Sequence, residues 1–263
     1  MIKTHKKRSQ AAFTLMELLV VISIISLLMA IAIPALVGSR ERAQRLECQV
    51  NLRNLTTAWL IYSSGNDERL CSADNRWKEY DPSCWVVDGP LFWGNWVGGT
   101  VQAVKDGSLW PYTDKKIQIY KCSSDRSPLL RSYAISRAMN GSSCACDDDH
   151  IKPYKLYTRI RQPSERLVFI DAFSRFPWID GSFCPVEDVL ASPLEWSTKK
   201  SLNITARHNG GTNISFADNS CDYLKWKDSR TVGLANFELD NDQASENNPD
   251  LARIVNLIKG QGK

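Results

Sequence analysis

Ala12-Phe13-Thr14-Leu15-Met16-Glu17-Leu18-Leu19-Val20-Val21-Ile22 opens an apolar run that continues to Val37 with no further ionisable residue. About 20 apolar residues suffice for a helix to cross the hydrocarbon core of a bilayer. The leader, residues 1–12, carries Lys3, Lys6, Lys7 and Arg8 and no acid. Basic flanks favour the cytoplasmic side, so the segment predicts a single span over 13–37 with everything after Val37 outside the cytoplasm. Glu17 breaks the apolar pattern. A carboxylate inside a membrane segment is unfavourable unless it has a function and a partner charge.

Working outward, the helix is expected to run on. Cys48, Leu52, Leu55, Trp59 and Tyr62 fall at i, i+4, i+7, i+11 and i+14, an amphipathic stripe over 38–65 that needs a globular partner. Ser63-Ser64-Gly65-Asn66 reads as its exit turn. From Phe13 to Ser64 such a helix would span roughly 75–80 Å at 1.5 Å per residue. Pro34 removes one backbone donor within it and should bend or loosen it.

The remainder divides into 66–240, a region long enough for a core of its own, and a polar tail over 241–263. Four of the chain's 33 bases lie in the leader, which leaves 29 against 29 acids. A neutral mature chain gives no electrostatic case for nucleic acid. Eight cysteines, beyond the membrane, suggest disulfides, although eight allow 105 pairings. Tryptophans 77, 85, 93, 96 and 110 alternate with glycines; they read as seals of a small sheet, or alternatively as stacking surfaces for sugars or peptides. Arg166 to Asp171 reads as a buried strand and Ser201 to Thr205 as another. Asn213 to Trp226 is the clearest hairpin signal, with Asp218-Asn219 at a type I′ turn. Asn248-Pro249 begins a short helix bearing Leu251, Ile254, Val255 and Ile258. These elements predict an α+β fold in which Ile214, Phe216 and Tyr223 cover Leu52, Leu55 and Trp59.

The start of the chain resembles the class III signal of type IV prepilins and type II secretion pseudopilins, whose pattern is G-F-T-L-x-E-L. The resemblance implies a cut between Ala12 and Phe13, N-methylation of Phe13, and pairing of Glu17 with the terminal amine of a neighbouring subunit. It makes Pro34 the helix-bending proline. Ala12 stands where that family usually has Gly. A secretory signal peptide cut near Ala30 to Ala32 and a plain anchor are the competing readings; both leave Glu17 unexplained.

A second resemblance lies in Arg207-His208-Asn209-Gly210-Gly211 through Asp218. It looks like the H-X9-DG domain attached to prepilin-type signals in large bacterial paralogue families, with Asn219 in place of the Gly. Leu109 to Tyr112, Lys121 to Asp125 and Ser132 to Ala134 resemble the middle of such chains. The resemblances together imply a pilin-like fold, with a long helix packed on a C-terminal antiparallel sheet with extended loops. They imply a location in the bacterial inner membrane, with the globular part in the periplasm or on a cell-surface filament. The implied partners are a prepilin peptidase and N-methyltransferase, other pilin or pseudopilin subunits, and an inner-membrane assembly platform.

Three function classes follow. A structural subunit of a pilus-like filament or secretion pseudopilus needs no catalysis. A membrane-anchored binding module would use the tryptophan or acidic loops. A hydrolase would use His208 and Asp218 as an oriented base, but the chain has no G-x-S-x-G or H-E-x-x-H motif. A structural histidine clamping the Gly210-Gly211 turn is the simpler role. Cys144-Ala145-Cys146-Asp147-Asp148-Asp149-His150 is the metal candidate, with carboxylates suited to Ca²⁺ and thiolates and imidazole suited to Zn²⁺. Its spacing is not diagnostic of either, so no cofactor is required.

Overall fold

The computed structural model describes residues 14–73, 81–87, 90–91, 95–96, 100–141, 153–172, 181–184, 204–236 and 245–259. The chain forms two compact units, 1–43 and 44–263. Helix α1, Leu15–Gly65, is continuous over 51 residues with Pro34 inside it. Its start is set by Thr14 and Glu17, and its end by Asn66, whose side-chain amide donates to Tyr62 O at 2.7 Å. The left-handed residues of the exit are Asp67 and Glu68 rather than Gly65, with φ of 53° and 61°. Glu68 N then reaches back to Ser63 O at 2.9 Å and satisfies a terminal carbonyl.

Every described residue of the first unit from Thr14 to Arg40 is exposed. In the second unit the same helix buries Cys48, Leu52, Leu55, Ala58 and Trp59 completely. The change follows the sequence: apolar on all sides to Val37, then a single apolar stripe.

After α1 come a two-residue antiparallel pair, β1 (Pro90–Leu91) with β2 (Asn95–Trp96), and the short α2 (Val101–Lys105). The main sheet is built from β3 (Tyr133–Ser136), β4 (Leu167–Asp171), β5 (Ser182–Phe183), β6 (Gly211–Phe216) and β7 (Cys221–Lys225), in the order β5-β3-β4-β6-β7. Two helices follow, α3 (Ser229–Ala235) and α4 (Pro249–Lys259). The fold is thus α+β and pilin-like: a long N-terminal helix on a C-terminal sheet. The sheet is mixed rather than purely antiparallel, because the edge strand β5 runs parallel to β3.

The inner strands β3, β4 and β6 are buried on both faces. Tyr133, Ile135, Val168 and Phe169 join Cys48, Leu52, Leu55 and Trp59 in one apolar cluster. Ala134, Leu167, Ile170, Ile214 and Leu224 join Leu251, Ile254, Val255 and Ile258 of α4 in another. Strands covered on both sides lose the simple alternation of apolar and polar residues. A register shift between Leu167 and Phe169 lets the neighbours Val168 and Phe169 serve the same cluster.

This arrangement corrects the expected facing of the hairpin. Ile214 and half-buried Phe216 belong to the α4 cluster, not to the α1 stripe. Asn213 and Ser215 turn to α1 instead: Thr56 Oγ1 donates to Ser215 Oγ at 2.7 Å, and Asn213 Nδ2 donates to Arg45 O at 3.3 Å. Tyr223, paired with Asn213, lies beneath the Arg45 guanidinium, 4.5 Å from its ring centroid. Buried polar residues satisfied by a helix look like solvent-facing ones in a binary pattern.

The turn also differs. Of Asp218 and Asn219, only Asn219 has positive φ, at 71°, so the turn is not type I′. Asn219 N bonds to Phe216 O and Phe216 N to Ser220 O, a three-residue loop ending in a left-handed asparagine. Ile204 and Thr205 form no strand, although Ile204 is buried; residues 201–203 lie outside the described residues.

The C-terminal helix begins as its residues indicate. Asn248 Oδ1 accepts from Asp250 N and Leu251 N at 3.0 and 3.1 Å. The Asp250 carboxylate in turn accepts from Lys227 N and Asp228 N, which ties α4 to the exit of β7. The tail's helix is therefore part of the second unit's core.

Candidate functional site

Among the described residues, two places carry chemistry. One is the start of α1. Thr14 Oγ1 accepts from Glu17 N at 3.2 Å, and the Glu17 carboxylate accepts from Thr14 N at 2.9 Å and from Thr14 Oγ1 at 2.8 Å. This is a reciprocal capping box, which satisfies donors that the first helical turn leaves over. Thr14 and Glu17 thus have a local structural role as well as any role in assembly. Ala12 and Phe13, the residues of the expected cut, lie outside the described residues. Beyond the box, α1 is long and apolar enough to cross a membrane, and none of that apolar window is buried within the chain.

The other place is inside the second unit. Cys48 of α1, Cys122 after the turn at 117–120, Asp171 at the end of β4 and His208 ahead of β6 converge. Their ligand-capable atoms all lie within 4.8 Å of one another, and all four residues are fully buried. Cys122 Sγ is 3.3 Å from His208 Nε2, which is 3.2 Å from Asp171 Oδ2.

Local structure explains the convergence. Asn209 and Gly210 take left-handed conformations, with φ of 51° and 75°, and turn the chain sharply between His208 and β6. Gly211 follows because a Cβ there would stand 2.4 Å from Leu224 O and 2.6 Å from the Tyr223 hydroxyl. The Tyr223 hydroxyl donates to His208 O at 2.6 Å. The glycines therefore let β7 approach closely, and that approach holds the backbone of His208.

Charged neighbours surround the cluster. Arg207 lies 3.3 Å from Asp171 Oδ1 and 3.2 Å from Asp125 Oδ2, and Lys121 lies 3.0 Å from Asp125. Asp125 also accepts from Ser132 Oγ at 2.5 Å, while Ser132 Oγ accepts from Cys122 N at 3.0 Å. Burial pushes the Cys48 thiol up, and the neighbouring Cys122 adds to that. Cys48 and His208 beside it act against burial and lower Cys122 to about 6. Burial opposes the charge of His208, but Asp171 and Cys122 beside its ring outweigh burial and raise it to about 9.

The arrangement is not a nucleophilic triad. In a working triad the carboxylate holds one ring nitrogen while the other faces the nucleophile. Here Cys122 and Asp171 both approach Nε2. Full burial leaves no route for a substrate.

Nor do His208 and Asp218 meet. They flank opposite ends of β6, and exposed Asp218 accepts from Ser220 N and Ser220 Oγ at 2.9 and 2.6 Å. The carboxylate beside His208 is Asp171. The Asp147, Asp148, Asp149 and His150 candidate lies outside the described residues. Trp85 is fully buried, stacked on Tyr120 with ring centroids 6.4 Å apart, and offers no surface for a sugar. Trp77, Trp93 and the side chain of Trp96 lie outside the described residues.

No disulfide joins the described cysteines to one another. Cys48 and Cys122 share their site with a histidine and a carboxylate. Cys144 and Cys146 lie outside the described residues.

Among known families, the one described as "Prokaryotic N-terminal methylation motif" matches residues 7–33. The chain thus carries a prepilin-type signal, which implies processing by a prepilin peptidase. No curated protein and no solved structure matches the chain.

Proposed function

We propose that this protein is a pilin-like structural subunit. A prepilin peptidase cuts it between Ala12 and Phe13 and methylates Phe13. The helix then holds it in the bacterial inner membrane with its globular unit outside the cytoplasm, from where it joins a pilus-like filament or secretion pseudopilus. The observation that carries this reading is the methylation motif running directly into an apolar helix that the chain itself leaves bare. Lipid covers such a helix before assembly, and neighbouring helices cover it afterwards. No catalytic role is assigned.

Two measurements test the reading. The intact mass of protein extracted from its native membrane should correspond to a chain beginning at N-methylated Phe13. Retention of Met1, or a terminus near Ile33, in cells with an active prepilin peptidase would exclude it. Glu17 is the proposed counter-charge for a neighbour's terminal amine, since an unpaired carboxylate between apolar helices is strongly unfavourable. Glu17→Val should therefore insert in the membrane but fail to enter filaments when it is the sole copy. Glu17→Gln keeps a hydrogen-bonding acceptor for the cap at Thr14, so it separates the two roles. Loss of assembly in both variants is expected, and normal assembly of Glu17→Gln would remove the charge pair from the mechanism.

A further inference from the structure

We propose that Cys48, Cys122, Asp171 and His208 form a structural zinc site that locks the outer half of α1 to the sheet. The argument begins with convergence. Four residues from four separate parts of the chain bring two sulfurs, one imidazole nitrogen and one carboxylate oxygen within 4.8 Å of one another. In a tetrahedral zinc site, with bonds of about 2.0–2.3 Å, neighbouring ligand atoms stand about 3.3–3.8 Å apart. The Cys122–His208 distance, 3.3 Å, is at the lower edge of that range, and the His208–Asp171 distance, 3.2 Å, is just below it. Separations wider than that range, none above 4.8 Å, must contract by up to about 1 Å to complete the geometry.

Donor chemistry selects the ion. Two thiolates with one imidazole favour zinc over calcium or magnesium, which prefer oxygen ligands. Four protein ligands, all fully buried, leave no open position for a reacting water, so the site is structural rather than catalytic.

The surroundings fit a dication. Both Asp171 carboxylate oxygens are buried without a well-formed hydrogen bond, although Arg207 and His208 lie close. A buried carboxylate with spare acceptor capacity is costly unless something takes it up. With both cysteines as thiolates and Asp171 ionised, the ligands carry three negative charges. Zinc brings these to one, Arg207 cancels that one, and Lys121 cancels Asp125. The buried group is then neutral. Arg207 beside the ligating carboxylate, and Ser132 holding the Cys122 amide, supply the outer contacts that orient ligands in metal sites.

The competing chemistry is a Cys48–Cys122 disulfide, since the two sulfurs are close and the unit faces an oxidising compartment in the reading above. That would bring the sulfurs to about 2.05 Å and leave His208 and Asp171 with no shared ligand.

The test uses the full chain purified in detergent from membranes, without chelator, with metal and thiol content measured together. About one zinc per chain is expected, with Cys48 and Cys122 reduced. Cobalt substituted for zinc should give the near-ultraviolet thiolate-to-metal absorption and the intense visible bands of a tetrahedral ion. Cys122→Ser and Asp171→Asn should each lose the metal, or bind it at least tenfold more weakly. A Cys144→Ser/Cys146→Ser double variant should keep it. As the cysteine variants could misfold, near-ultraviolet circular dichroism accompanies each. Wild-type protein also supplies a test that needs no variant, since chelator should strip one zinc and lower the unfolding temperature. Three results would overturn the site: folded wild-type protein that takes up no zinc from added salt, a Cys48–Cys122 disulfide in peptide mapping, or metal that follows Cys144 and Cys146 instead. None depends on whether the chain enters a filament.

Discussion

Trp59→Ala is expected to destabilise the globular unit by about 3–5 kcal/mol, the range for removing a fully buried aromatic. Trp59 has no exposed surface and packs edge-on to Tyr157, with ring centroids 5.9 Å apart. It stands at the far end of the α1 stripe, among the residues that join the helix to the sheet, so its loss opens a cavity that two rigid elements cannot close. Equilibrium denaturation of the detergent-solubilised chain, followed by near-ultraviolet circular dichroism, measures the cost. Phe216→Ala should cost less, because Phe216 is only half-buried. A Trp59→Ala cost below about 1 kcal/mol would mean that the helix does not bury this stripe.

Arg207→Met should cost a similar amount, about 3–5 kcal/mol, for an electrostatic reason. The Arg207 side chain is only 11% exposed and lies within 3.3 Å of two carboxylates, Asp125 and Asp171. Burial works against its charge, but Asp171 and then Asp125 outweigh burial and raise its pKa further. A methionine of similar length fills the space and leaves those carboxylates short of one cation. Lys121 remains beside Asp125, but Asp171 loses the Arg207 guanidinium that balances the buried group. Arg253→Met is the control. Its pair with Asp222 spans 3.6 Å with both side chains about half exposed, so its removal should change stability by no more than about 0.5 kcal/mol. Equal costs for the two substitutions would show that the Arg207 network is screened by water rather than buried.

Much of the architecture was legible because it rests on periodicity. The unbroken apolar run to Val37 and the stripe from Cys48 to Trp59 specify a long helix that is bare first and covered later. The alternation in 213–226 specifies a hairpin, and Asn248-Pro249 with Leu251, Ile254, Val255 and Ile258 specifies a capped amphipathic helix. Each of these signals is local, so chain order alone carries it. The facing of the hairpin was misread for an equally definite reason. Asn213 and Ser215 look solvent-facing, yet they bond to Arg45 and Thr56 across the helix–sheet contact. A two-faced sheet with a polar seam on one side defeats binary patterning.

The cluster of Cys48, Cys122, Asp171 and His208 lay beyond local reading altogether. Each residue had a sufficient local explanation: a cysteine on an apolar stripe, a cysteine in a loop, the last residue of a strand, and a histidine before two glycines. His208 was paired with Asp218 by spacing, whereas the fold pairs it with Asp171. Lys121-Cys122-Ser123-Ser124-Asp125 and Arg207-His208 stand out in the sequence as separate motifs, and it takes the Asp125–Arg207 and Cys122–His208 contacts to show that they meet. The sequence by itself determined a methylation-type signal, a membrane-length helix and the succession of elements, all consequences of short-range pattern. The tertiary structure alone decided which strand face meets α1, and that two sulfurs, an imidazole and a carboxylate share one buried site. Those outcomes depend on long-range packing, where loop closure brings together residues that no local spacing relates.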